Sequence, residues 1–306
     1  MNAILDARTR EFLRTLEVGS RETLRGLRHG IHRSKRRGIS TDFTHHRGYQ
    51  MGDPLKTLDW KVFARTGKHF VKQYIETSAL TLWTVLDNSA SMRDAPITTT
   101  GADPDADTVV QSKFELGARI AAALCALATR QQDAAGLAIS GKPSKLLPAR
   151  SSNKHLSILL HHLAQAHQNQ DHGDLAPVLR EVAESISPGH LVAVITDCFY
   201  TPEATRTMLK ELRGRGADVM LFRTVSPVEA SFDFTHWVDF HCLEQTGHHR
   251  VDSTLLRDAY LKEYQAFASE WEQFAKRQGI GLYLAPTQSS IIEILNESLR
   301  QRAMQS

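Results

Sequence analysis

The sequence predicts an α/β protein with a mostly parallel central sheet covered by helices on both faces. Two observations carry that reading. Short apolar runs rich in β-branched residues, Ala79–Leu86, His190–Thr196 and Ala217–Val225, are bounded by polar loop residues, the pattern of strands buried on both faces. Segments of helical periodicity separate them, and that alternation builds parallel sheets. A chain of 306 residues, 41% hydrophobic and 23% charged, is long enough for one large domain or two modest ones. It can bury a core without disulfide staples.

Along the chain, residues 3–28 read as a helix. Ile4, Leu5, Phe12, Leu13, Leu16, Leu24 and Leu27 recur at helical spacing, interrupted near Gly19. Residues 29–38 are basic and glycine-bounded, a loop. The stretch that follows mixes the turn signal Gly52-Asp53-Pro54 with short alternating segments such as His69–Glu76. After the first buried strand come a helix at Lys113–Arg130, a strand at Ala134–Ser140 and its hairpin partner at Lys145–Pro148. Helices follow at Ser152–Gln168 and Leu175–Ser185. Beyond the second buried strand a helix spans Thr201–Arg213, with Pro202 in its first turn. Beyond the third, a long helix covers Val251–Gln278. Its Leu255, Leu256, Tyr260, Leu261, Tyr264 and Phe267 are expected to cover one sheet face. A last strand, Ile280–Leu284, and a last helix, Ser289–Arg302, complete the pattern.

Cys125, Cys198 and Cys242 are odd in number and far apart, which excludes a disulfide framework and a CxxC metal knuckle and favours a reducing compartment. No run approaches the roughly 20 apolar residues of a membrane span. The charged start, MNAILDARTREFLRTLE, does not read as a secretory signal. The expected location is cytoplasmic. The net charge of +3 hides an asymmetry. Residues 1–76 hold 16 Lys/Arg against 8 Asp/Glu, a surplus of +8, and the remainder holds 21 against 26, or −5. A basic front on an acidic body implies two parts with different partners, or parts that contact each other.

The chemistry is expected at the carboxyl ends of the parallel strands, where such sheets bind ligands. The first buried strand ends in Asp87-Asn88-Ser89-Ala90-Ser91, a D-x-S-x-S pattern. One carboxylate and two hydroxyls on a short loop are hard oxygen donors, suited to Mg²⁺. The second buried strand ends in Asp197, so adjacent parallel strands bring Asp87 and Asp197 to one edge.

These residues resemble a von Willebrand factor A-type domain, whose metal-ion-dependent adhesion site uses D-x-S-x-S, a downstream threonine and an aspartate after a later strand. Upstream, Arg47-Gly-Tyr49-Gln-Met-Gly52-Asp53-Pro54, Leu58-Asp59-Trp60-Lys61, Ala64-Arg65-Thr66-Gly67 and Tyr74-Ile-Glu76 are similar to the signature of the bacterial family numbered fifty-eight among the domains of unknown function. The match covers roughly residues 35–225 in the expected order. The resemblance implies a non-enzymatic interaction module that accompanies MoxR-type AAA+ ATPases in assembling or activating another complex. It implies Asp87, Ser89, Ser91 and Asp197 as ligands of Mg²⁺ or Mn²⁺, with an open position filled by an Asp or Glu of a protein partner. Glycine stands at 173, where the threonine would be, and Asp174 or a water is the substitute. The resemblance implies a three-layer Rossmann-like A-type domain over residues 78–306, with a C-terminal extension, preceded by a basic signature-bearing segment over 1–77. Within the signature, Arg47, Tyr49, Asp53, Asp59, Trp60 and Arg65 read as structural, with ion pairs and a packed tryptophan that fix the front segment on the A-type domain. Residues Arg93–Thr108 read as an acidic insertion beside the site.

Two competing classes remain open. A Mg²⁺-dependent hydrolase would use Asp87 and Asp197 but lacks an evident general base and nucleophile. A nucleic-acid-binding protein would use Arg33, Lys35, Arg36 and Arg37, with Arg25 and Arg28 nearby, but no aromatic residues interleave them. A phosphate loop is rejected at Gly136–Lys142, because Pro143 replaces the Ser/Thr and a strand follows instead of a helix.

Overall fold

The computed structural model describes residues 42–51, 53, 58–75, 80–93, 111–168, 173–234, 237–241 and 247–304. The expected helix at 3–28, the basic loop at 29–38 and the acidic insertion beyond Arg93 lie outside them. The chain divides into two compact units, one within His32–Leu80 and one holding Thr81–Ser306.

In the smaller unit, strand β1 (Asp42–Gly48) runs antiparallel to β2 (Phe70–Ile75), and helix α1 (Trp60–Thr66) lies between them in sequence. The signature residues build this unit. Asp59 caps α1, its carboxylate accepting from the Lys61 and Val62 amides at 3.0 and 3.3 Å, and it also meets His46 at 2.9 Å. Gly67 closes the helix in the left-handed conformation, φ 68°, which costs a glycine nothing. Arg47 pairs with both carboxylate oxygens of Asp53 at 2.8 and 2.9 Å. The Gln50 amide, and then Arg47, hold that carboxyl below its usual value. Tyr49 is tied through its amide to the His69 carbonyl. Within this unit Trp60 is not packed: it is 59% exposed. With Asp59 as the cap, Trp60 becomes the first helical residue and turns outward, edge-on to Phe63. Arg65 is also exposed.

The larger unit is the expected three-layer α/β domain. In chain order it holds β3 (Thr81–Leu86), α2 (Ala90–Arg93), α3 (Lys113–Arg130), β4 (Ala134–Ile139), β5 (Lys145–Arg150), α4 (Asn153–Gln168), α5 (Leu175–Ser185) and β6 (Leu191–Thr196). Then come α6 (Pro202–Gly214), β7 (Asp218–Val225), α7 (Pro227–Ser231), β8 (Trp237–His241), β9 (His248–Asp252), α8 (Ser253–Gln278), β10 (Gly281–Pro286) and α9 (Ile291–Met304). Six strands form one sheet in the order β10-β7-β6-β3-β4-β5. All pair in parallel except β5, which returns antiparallel to β4 as the hairpin partner expected. Helices α5, α6 and the end of α8 cover one face through Leu179, Val182, Leu209, Leu212 and Trp271. Helices α3, α4 and α9 lie on the other. The alanine-rich stretch Ala121–Ala123 lets α3 pack closely, and the whole run is buried.

Two expectations about the C-terminal third need correction. The antiparallel hairpin β8–β9 went unforeseen, so the long helix begins at Ser253 rather than Val251. Val251 pairs across to Val238, and Asp252 caps the helix by accepting from the Thr254 amide. Nor does the first half of α8 cover the sheet. Leu255 is 82% exposed, and the buried contacts come from Trp271, Phe274 and Ala275. Tyr260, Tyr264 and Phe267 instead join rings with Phe232 and Phe199.

Candidate functional site

The sheet order reverses direction between β3 and β6, one strand wound each way from that point. In doubly wound sheets the crevice outside the carboxyl ends of such a pair is the ligand site. Asp87 follows β3 and Asp197 follows β6, so the two expected carboxylates stand side by side there. The Asp87 amide bonds the Ile195 carbonyl, which locks the two strand ends together.

Asp87 is 2% exposed and held by neutral donors. One oxygen accepts from the Ser89 amide at 2.9 Å and the Ser140 hydroxyl at 3.3 Å; the other accepts from the Thr196 hydroxyl at 2.6 Å. Among the described residues no cation pairs with it. Burial, and then the Asp197 charge, push its carboxyl up to about 7, against the opposing pull of those hydrogen bonds. Ser89 and Ser91, its partners in the D-x-S-x-S loop, bring their hydroxyls within 3.1 Å of each other. Arg93 fixes the loop. Its guanidinium donates to the Asn88 side chain at 2.6 Å and to the Ala166 and His167 carbonyls at the end of α4.

Asp197 is 1% exposed and differently placed. One oxygen accepts from the Phe199 amide at 3.0 Å; the other accepts from the Lys113 ammonium at 2.7 Å. Lys113 also donates to Glu229 of α7 at 2.5 Å. It is the first residue of α3, where the helix dipole disfavours a cation, and it is 3% exposed. Burial pulls its ammonium down, but the charges and hydrogen bonds of Asp197 and Glu229 outweigh that and hold it above its usual value. Cys198, next in sequence, takes a left-handed backbone at φ 67°, with its amide on the Thr196 hydroxyl. Burial, then Asp197, push its thiol well above the usual range, so it is not a thiolate nucleophile.

Gly173 and Asp174 make no hydrogen bond to either aspartate. A Cβ built on Gly173 would lie 2.4–2.6 Å from the Gly141 backbone, so no threonine fits there without moving main chain. Asp174 caps α5 through the Ala176 amide and accepts the Thr201 hydroxyl at 2.7 Å. Sequence reasoning missed Ser140, Thr196, Arg93, Lys113 and Glu229. A hydroxyl at the end of each strand flanking β3 was the readable sign of the first two. A lysine opening an otherwise apolar helix was the sign of Lys113. Among the described residues no group of three or more His, Cys, Asp or Glu side chains is gathered around a metal position. The donor set on the Asp87 side, one buried carboxylate with no counter-charge among the described residues and two adjacent hydroxyls, nevertheless fits a hard divalent ion. Gly173 itself contributes no side-chain oxygen.

A groove of 640 Å³ between α8, β10 and α9 is lined by none of these residues. A smaller cleft of 160 Å³ does border the site, at Asn88, Ser140 and Gly141. At Lys142 the chain turns into strand β5, not a helix, so Gly136–Lys142 is no phosphate loop.

Fold and site together define a doubly wound α/β domain with an acid–hydroxyl cluster at its switch point. The chain belongs to the family described as "Protein of unknown function DUF58", which matches residues 45–270. The uncharacterised protein Rv1480 of Mycobacterium tuberculosis is 30% identical over 188 residues, 60% of this chain and 56% of that one. The uncharacterised protein YeaD of Bacillus subtilis is 28% identical over 121 residues, 40% of this chain and 25% of its own. The chain thus spans about half, or less, of the length of the curated relatives it matches. Among solved structures it is similar to the conserved hypothetical protein BatB of Bacteroides thetaiotaomicron, at 14% identity and TM-score 0.45 over 74% of this chain and all of that one. It is also similar to the SpRpn10 VWA domain, at 7% identity and TM-score 0.37 over 72% of this chain and 95% of that one. Among the described residues no helix is long and apolar enough to cross a membrane.

Proposed function

We propose that this protein is a metal-dependent protein-interaction module rather than an enzyme. The observation that carries the reading is Asp87: a buried carboxylate at the switch point with no cation beside it among the described residues, flanked by two serine hydroxyls. Asp87, Ser89 and Ser91 hold Mg²⁺ or Mn²⁺. The bound ion supplies positive charge and an open coordination position for a partner's Asp or Glu. Thr196 and Ser140 orient the Asp87 carboxylate, and Arg93 keeps the loop in place against α4. The proposed setting is the cytoplasm, with a MoxR-type AAA+ ATPase as the partner through which another complex is assembled or activated.

A hydrolase is disfavoured by the chemistry around Asp197. Its two oxygens are engaged by Lys113 and the Phe199 amide, and the neighbouring thiol is protonated. Neither group is a ready base or nucleophile. The test is a pull-down from native lysate with the full chain, in Mg²⁺ and in EDTA, alongside Asp87→Ala. Capture of an AAA+ ATPase that requires both Mg²⁺ and Asp87 is the expected result. Capture indifferent to both removes the metal from the reading.

A further inference from the structure

Lys113 is a charged side chain almost wholly inside the protein, and the interaction reading gives it no part. Its position is unfavourable twice over. It leaves water, and it opens a helix whose dipole repels it. What holds it is a pair of carboxylates of unlike character. Asp197 belongs to the candidate site and is fully buried. Glu229 lies outside it, on α7, with 27% of its side chain exposed. One ammonium therefore bridges a site carboxylate and a peripheral one, at 2.7 and 2.5 Å.

We propose that Lys113 is a resident cation that competes with a divalent ion for Asp197, and that Glu229 is its alternative seat. With Lys113 on Asp197, the second carboxylate of the site is already neutralised, and only the Asp87 side is free to attract an ion. With Lys113 resting on Glu229 alone, both aspartates face the same crevice unopposed. The balance between the two seats sets how tightly the site takes its ion. Gly173 strengthens the argument: no side-chain oxygen at that position makes up for an Asp197 held by lysine. This inference rests on the metal-binding reading of Asp87, and its test separates the two.

Mg²⁺ affinity of the full chain is measured by titration calorimetry, with thermal melts confirming that each variant is folded. Lys113→Met is expected to tighten Mg²⁺ binding by about tenfold or more, since a unit charge within a few ångströms of the site is removed and Asp197 is released. Adding Asp197→Asn to Lys113→Met should abolish that gain, because competition acts through Asp197. A gain that survives Asp197→Asn would be a mere through-space charge effect and would overturn the proposal, as would unchanged or weaker binding in Lys113→Met. Glu229→Gln, nearer the surface, takes away the alternative seat and is expected to weaken Mg²⁺ binding several-fold. If Lys113→Met does not fold, this variant decides, and unchanged affinity overturns the proposal. Absence of Mg²⁺ binding in both wild type and Lys113→Met sinks the metal reading and this inference together. Binding that needs Asp87 but ignores Lys113 sinks this inference alone.

Discussion

Asp87 and Asp197 end neighbouring parallel strands, face the same edge and are almost equally withdrawn from water, yet their surroundings differ in kind. Asp197 meets an ammonium, and its charge is balanced inside the fold. Asp87 meets two hydroxyls and an amide, which ease the burial of its charge without cancelling it. The switch-point topology puts both carboxylates in the crevice. The counter-charge decides what each is available to do. Asp197 is paired with Lys113, whereas Asp87 meets no cation among the described residues.

Removing Lys113 is the strongest way to break that contrast. Lys113→Met strands Asp197 as an unpaired buried carboxylate and is expected to lower stability by about 3–5 kcal/mol. Asp87→Asn has no ion pair to lose among the described residues and exchanges hydrogen bonds from neutral donors to a carboxylate for hydrogen bonds to an amide, so a change within about 1 kcal/mol is expected. Urea midpoints with a common slope measure both. Similar losses in the two variants would mean that Asp87 has a charged partner after all.

Gly173→Thr sharpens the Asp87 side. The added side chain meets the Gly141 backbone, so about 1–3 kcal/mol of destabilisation is expected from overpacking, with no gain in Mg²⁺ binding. A stable variant with tighter Mg²⁺ binding would show that the two glycine-bearing loops separate readily. Thr196→Ala is expected to cost about 1–2 kcal/mol, because it strips a buried donor from Asp87 and an acceptor from the Cys198 amide at once. The same denaturation series measures it.

Much of this contrast was legible in the sequence, and the illegible part has a physical cause. Apolar runs bounded by polar residues marked the buried strands of the sheet, and α3 and α5 fell where their periodicity put them. Asp87 and Asp197 were legible because a parallel sheet brings successive strand ends to one edge. The counter-charge was not. Lys113 lies 84 residues from Asp197 and 116 from Glu229 in sequence, and no local pattern links such positions. The β8–β9 hairpin escaped because His248-His-Arg-Val-Asp252 has little apolar alternation and runs straight into a strong helix. Trp60 misled because aromatic residues usually pack. Here the cap at Asp59 fixed its direction, a choice of helix start that composition does not reveal.

The smallest expected effect lies two residues beyond Lys113. Glu115, in the capping box of α3, accepts from His167 at 2.9 Å, but this pair is about one-third open to water. It is the solvent-touched counterpart of the Lys113–Asp197 pair. The His167 hydrogen bond holds the Glu115 carboxyl below its usual value, with burial opposing and the Ser112 amide assisting. A depressed carboxyl contributes stability that is present above its unfolded-state value, about 4.3, and is lost as pH falls through its folded-state value. Screening at a part-open site limits that contribution to about 1 kcal/mol or less. Glu115→Gln should therefore be less stable than wild type by that amount at neutral pH. The gap should close only as pH falls below that depressed folded-state value, where both chains are neutral at this position. Urea midpoints from neutral pH to below 4 follow it. A gap that persists in acid would assign the loss to the capping hydrogen bond, and a gap of several kcal/mol at neutral pH would place Glu115 with the buried pair instead.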